Sequence, residues 1–288
     1  MANRYLIRGI CASLVALVVA LLVQAPISAS HNWGGGTNGY HWQRSTNTIR
    51  YIPIRRLHSS AWLTRYAAAY ARWRSTAMTK VRLIQGATGG PSNTCPAALN
   101  QITSCDGSYG STGWLGLATI WTYSGTARHI AQGTSKVNNT YFNTSAYNTV
   151  PWRQFVICQE IGHNFGLGHV NEVFNNANTG SCMDYTNDPD GGAGGASASD
   201  PSNMNPNAHD YTLINSKHNH VGSAADMPGL LPGFAQEAEV MPAAAMAFNP
   251  MKLSELGTLV HVAAGGRLER YERDFGGVTA TSFVIRAK

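Results

Sequence analysis

The chain has 288 residues, 43% of them apolar and 12% charged, with 30 glycines, 12 prolines and 5 cysteines. That composition is globular and excludes the disordered, collagen-like and coiled-coil classes. The formal charge of +6 is unevenly placed: the first acidic residue is Asp106 and the second Glu160, while eleven Lys and Arg lie between Arg4 and Arg82. A positive N-terminal half suits anionic surface polymers, but no recognised nucleic-acid module is present and no nucleic-acid partner is expected.

Arg4 and Arg8 precede an apolar run from Ile10 to Val23, followed by Pro26 and the small residues Ser28, Ala29 and Ser30. This is the layout of a secretory signal peptide over residues 1–30, cut near Ala29 or Ser30. The run falls short of the roughly 20 residues a bilayer span needs, so a secreted, extracellular protein without stable membrane insertion is expected. Cleavage leaves a net charge of 19 − 15 = +4 and removes Cys11. An even set of Cys95, Cys105, Cys158 and Cys182 remains, which in an oxidising compartment argues for two disulfides. Of three possible pairings we favour Cys95–Cys105, closing a short loop, with Cys158–Cys182.

After a glycine-rich start (31–39), Thr48 to Ile54 reads as a short strand ended by Pro53. From Ser59 a helix is expected, with Trp62, Tyr66, Ala69, Tyr70, Trp73 and Ala77 at helical spacing. Val81 to Ile84 reads as a strand, and Gly86 to Gly113 as a loop rich in Gly, Pro, Asn and Cys. Trp114 to Tyr123 is strand-like, and Arg128 to Ile130 suggests another. Pro151 suits the first turn of a helix running to about Gly166. Asp188 to Pro206 is a low-complexity loop, Asp210 to His218 a helix, and Leu253 to Ala287 alternates as a small strand unit. The domain plan is therefore a leader (1–30), a main domain (31–222), a linker (223–250) and a small β-rich extension (251–288) of unread role.

One segment carries chemistry: Gln159-Glu160-Ile161-Gly162-His163-Asn164-Phe165-Gly166-Leu167-Gly168-His169. Gln159 and His163 are four apart and share a helix face, and Gly166 lets the chain turn so that His169 comes back to the same point. The pattern resembles the metzincin zinc peptidases, whose motif is H-E-x-x-H-x-x-G-x-x-H. Gln159 stands in place of the first histidine. A second resemblance is Ser181-Cys182-Met183-Asp184-Tyr185, which matches the Met-turn in the S-x-M-x-Y form of astacin-like and serralysin-like members. Together the two motifs cover about residues 45 to 220.

The resemblance implies an α+β fold of the metzincin type: a twisted mixed β-sheet, an N-terminal helix, a zinc-motif helix and a small C-terminal subdomain after the Met-turn. It implies one catalytic zinc held by Gln159, His163 and His169, Glu160 as general base and proton donor, Met183 as the floor beneath the metal, and Tyr185 as a stabiliser of the tetrahedral intermediate. It also likens Trp114 to Trp121 to the edge strand above the cleft, where Leu117 and Ala118 would pair with a polypeptide substrate. The loop Thr186 to Asn207 would wall the specificity pocket. A carboxamide offers zinc only a neutral oxygen, so His129 and His209 are kept as outside donors. The Cys158–Cys182 bridge would tie the zinc helix to the Met-turn. Asp184, Asp188 and Asp190 lack an EF-hand spacing, leaving calcium unsupported, and Asp210 reads as a helix cap. A monomeric, secreted zinc endopeptidase is the leading expectation, and a disabled metzincin serving as an extracellular binding module is the alternative.

Overall fold

The computed structural model describes residues 31, 39–124, 128–192, 198–219, 221 and 241–287. The expected leader, residues 1–30, lies outside them. Eight strands form one sheet: β1 (Arg50–Leu57), β2 (Val81–Gly89), β3 (Ile102–Gly107), β4 (Trp114–Tyr123), β5 (Ile130–Asn138), β6 (Thr258–Ala263), β7 (Leu268–Asp274) and β8 (Val278–Arg286). Their order is β2-β1-β3-β5-β4-β8-β7-β6. The β1–β2, β1–β3 and β3–β5 pairs are parallel and the remaining pairs antiparallel. The fold is thus α+β, built on a mixed sheet with few helices.

The alternation of Ile52 and Ile54 on β1, and of Val81 and Leu83 on β2, sends one face of the sheet into the main core. Against it pack helix α1 (Ser60–Arg72) and helix α3 (Val150–His163); α2 (Asn139–Phe142) is a single turn between β5 and α3. The i, i+4, i+7 stripe Trp62, Tyr66 and Ala69 is the buried side of α1, with Trp73 just beyond its end, and full burial of each large side chain contributes roughly 1.5–3 kcal/mol. Helix α3 starts where Thr149 accepts a hydrogen bond from the Trp152 amide, with Pro151 in the first turn, where its missing N–H is not needed. From Arg153 to His163 every residue of α3 is buried, polar ones included. Helix α4 (Ala208–Lys217) begins two residues before the expected Asp210; Asn207 is its N-cap, and Asp210 contributes from inside the first turn by returning its side chain to the Asn207 N–H in a capping box.

Several expectations need correction. Pro53 does not end β1: pairing with β3 begins only at Ile54, so at Pro53 the strand has β2 alone as neighbour and no second ladder requires the absent N–H. The stretch read as a loop from Gly86 to Gly113 contains the end of β2 and all of β3, whose polar sequence ITSCDG is fully buried. The strand suggested at Arg128 to Ile130 begins at its last residue and runs on to Asn138. Residues 223–240 of the expected linker lie outside the described residues, and its end holds a short helix α5 (Ala243–Ala247).

The largest correction concerns β4. It is no edge: β5 pairs with one side and β8 with the other, Leu117 facing Val284 and Ala118 facing Phe283. The cause is non-local, because Thr119 meets Ser282 across 163 residues with their hydroxyls 2.9 Å apart. The C-terminal residues add two smaller apolar clusters to the sheet, one around Trp121, Met241 and Phe248, the other around Trp114, Leu117, Leu256 and Val284. Both favoured disulfides, Cys95–Cys105 and Cys158–Cys182, are formed.

Candidate metal centre

The last turns of α3 carry Gln159, Glu160 and His163, all fully buried. The helix stops at Asn164, and Gly166 takes φ +76°, a left-handed conformation that favours glycine. A side chain there would also collide with the Tyr40 carbonyl, 1.8 Å from an added Cβ. Through this turn the chain doubles back, and the His169 ring comes to 4.7 Å from the His163 ring, edge to face. The two histidines that the spacing was read to converge are therefore together.

Each imidazole is oriented from behind. His163 Nδ1 lies 2.8 Å from the Leu167 carbonyl; a carbonyl only accepts, so Nδ1 carries the proton and Nε2 is the nitrogen fit to ligate. Behind His169, Glu172 Oε1 lies 3.7 Å from Nδ1, and the other Glu172 oxygen lies 2.7 Å from His261 Nε2 on β6. The His169 imidazole beside it, with burial opposing and His261 adding, holds the Glu172 carboxyl at about 2. Burial pushes both His163 and His169 below the ordinary histidine range, which keeps them in the neutral form that binds metals.

What the centre lacks is internal satisfaction. Both amide atoms of Gln159, both carboxylate oxygens of Glu160 and Nε2 of His169 are buried with no hydrogen-bond partner among the described residues. Leaving a buried polar group in that condition costs about 1–3 kcal/mol apiece. Burial drives the Glu160 carboxyl well above its usual range, with the Ala118 amide pulling weakly the other way. The carboxylate lies directly under β4, where a Cβ on Gly116 would sit 2.2 Å from Oε1. A carboxamide, two imidazoles and a carboxylate carried on one buried helix end and the turn that follows it are residue types suited to holding zinc with a base beside it.

The turn around Met183 is bound to this centre from three directions. Cys182 is bridged to Cys158, the residue before Gln159. Val170 N–H donates to the Met183 carbonyl at 2.7 Å and Tyr185 N–H to the Asn171 carbonyl at 2.9 Å, stitching the segment after His169 to the turn. A Cβ on Gly162 would lie 2.3 Å from Met183 Sδ, so that glycine is what lets the turn pack against α3. Inside the turn the Ser181 hydroxyl accepts from the Met183 amide and donates to Asp210. Asp184 accepts from Asn176, Asn203 and the Thr179 amide, the work of a turn residue. The Tyr185 ring is 6.3 Å from that of His169, and its hydroxyl donates to the Arg267 carbonyl.

Four participants had no motif to announce them. Phe283 of β8 stacks on His163 at 4.3 Å with the rings 3° from parallel. His261 and Gly116 act as described above, and Glu172 was signalled only by an acid three residues after His169. Among the outside donors, His129 packs edge-on against His41. His209 belongs to a separate group in which His31 Nε2 lies 3.1 Å from His209 Nδ1 and 3.3 Å from Asp210 Oδ1, a set compatible with a cation. Leu117 and Ala118 border the centre through β4 but face β8 rather than open cleft. No protein-family model matches the chain, and no curated protein matches it.

Proposed function

We propose that the chain is a zinc-dependent endopeptidase of the metzincin type acting on polypeptides. The observation that carries this reading is the approach of the His163 and His169 rings to 4.7 Å, at the end of a helix whose Gln159 and Glu160 are fully buried. Gln159, His163 and His169 would hold the zinc, which when bound supplies a Lewis acid for the scissile carbonyl and for water. Glu160, kept dry beneath Gly116, takes the proton from the attacking water and returns it to the leaving amine as the carbon–nitrogen bond breaks. Two disulfides suit an exported protein, and no helix among the described residues is long and apolar enough to cross a membrane.

Metal content tests the reading. The full-length protein, purified from an oxidising compartment and dialysed against metal-free buffer, should retain about one zinc per chain, the stoichiometry of a catalytic site, and His163→Ala should lose it. A folded chain with both disulfides and no zinc would overturn the reading. The neutral oxygen of Gln159 favours a second reading, an extracellular binding module on a disabled metzincin. Gln159→His separates the two: an enzyme gains zinc affinity, whereas a remodelled pocket gains none.

A further inference from the structure

We propose that β8 is a tethered pseudosubstrate: the C-terminal unit occupies the strand position of a peptide substrate and holds the centre latent. This rests on the peptidase reading above and names the regulation of that same site.

The geometry is that of peptide recognition by strand addition. An extended chain that joins a sheet edge contributes backbone hydrogen bonds, and alternate side chains enter pockets. β8 does this on the side of β4 facing away from β5, antiparallel, from Trp114 opposite Arg286 to Tyr123 opposite Val278. The register sets Phe283 opposite Ala118, and its ring covers His163 while standing 5.1 Å from His169. The same unit takes up the polar groups at the rim: Arg267 accepts the Tyr185 hydroxyl, and His261 holds Glu172. In this arrangement Gln159, Glu160 and His163 are fully inaccessible and His169 is 8% exposed. The nearby cleft of about 490 Å³ runs between Glu172–Asn175 and Ala264–Arg267, and none of the four centre residues lines it.

The unit is also fastened away from the centre. Lys136 Nζ on β5 donates to Asn249 Oδ1 and to the Pro250 carbonyl, Trp114 Nε1 to the Met251 carbonyl, and Trp121 Nε1 to the Ala245 carbonyl. These bonds secure the segment leading into β6–β8 against the strands that flank the site. A polypeptide reaches Glu160 only when β8 leaves β4.

The test uses the full chain with two variants that weaken β8 by different means: Phe283→Ser, which removes the covering ring, and Ser282→Pro, which deletes a ladder hydrogen bond of a strand paired on both sides. One readout needs no metal: modification of His163 and His169 by diethyl pyrocarbonate, located by mass spectrometry, with circular dichroism to check the fold. The second is hydrolysis of a random peptide library by zinc-loaded protein. Latency predicts unreactive histidines and negligible hydrolysis in the wild type, and at least a tenfold rise of both in either folded variant, reversed by added peptide VTATSFVIR. Unchanged histidine labelling in a folded variant would overturn the covering role of β8. Hydrolysis by the wild type equal to that of the variants would overturn latency and leave the peptidase standing. A rise in labelling with no hydrolysis in zinc-loaded variants would remove the peptidase reading and the pseudosubstrate with it.

Discussion

Asp106 and Glu160 are the only two carboxylates before Glu172, and both are fully buried, yet their surroundings are opposite. Asp106, on β3 beside the start of α1, accepts from the Ser59 amide at 2.6 Å, the Ser59 hydroxyl at 2.8 Å, Asn139 Nδ2 at 2.6 Å and His58 Nδ1 at 3.2 Å. Burial alone would raise its carboxyl, but the hydrogen bonds from His58, Asn139 and Ser59 outweigh burial and hold it below the ordinary value. Glu160 has burial without such bonds and is driven the other way. His58 also bonds Ser104 through Nε2 at 3.0 Å, so a serine, a histidine and an aspartate stand in line. All three are buried and Asp106 is saturated, which marks the line as scaffold. An acid that holds a fold together is fully bonded, whereas an acid kept for an incoming group is left with unused capacity.

The same chemical change at the two sites should therefore have different consequences. Asp106→Asn replaces a charge that accepts four hydrogen bonds, and we expect it to lower the unfolding free energy by about 3 kcal/mol, read from urea denaturation. Breaking the comparison at its other end, Cys158→Ser with Cys182→Ser should cost about 2–4 kcal/mol and loosen the histidine pair, seen as reduced zinc retention. Gly116→Ala presses a methyl onto Glu160 Oε1 and should cost about 1–3 kcal/mol by overpacking, shifting the denaturation midpoint while leaving the Asp106 network intact. The smallest effect on stability is expected from Glu160→Gln: no change or a gain of about 1 kcal/mol, because burial already disfavours the charged carboxylate and the amide has nearly the same shape. In a Phe283→Ser background with zinc, that variant should lose about 10²–10⁴-fold in hydrolysis, the usual contribution of a general base.

A pH experiment sharpens the contrast with a cation. Lys136, fully buried against Asn249 and Pro250, is lowered by burial to about 7, with Glu255 opposing slightly. Between that value and the 10.5 of an ordinary lysine the unfolded chain binds the additional proton, so stability rises with pH through this window and is lost as pH falls through it. Denaturation midpoints from pH 7 to 10 should therefore climb, and Lys136→Met should flatten the slope.

Local chemistry was legible in the sequence. The α1 stripe of Trp62, Tyr66 and Ala69, the turn at Gly166 and the Cys95–Cys105 pair are short-range features, and each appears where the residues pointed. The approach of His163 to His169 follows from spacing alone. Long-range pairing was not legible. β3 is buried along its whole length although its sequence is mostly polar, and a rule that reads hydrophobic periodicity does not detect such a strand. β4 could not be recognised as internal, since its partner β8 lies some 160 residues away and carries no motif. Phe283 and His261 reach the centre by that same route.

Because β8 belongs to the chain it covers, it presents itself to β4 at an effective concentration on the order of millimolar, as tethered segments do. A free polypeptide of equal strand affinity at about micromolar would hold β4 in only about one molecule in a thousand. If β8 is the tethered pseudosubstrate proposed above, competition by dilute substrate is a poor trigger. An event that severs, modifies or pulls away the C-terminal unit changes the local concentration itself, and only such an event converts occupancy from self to other.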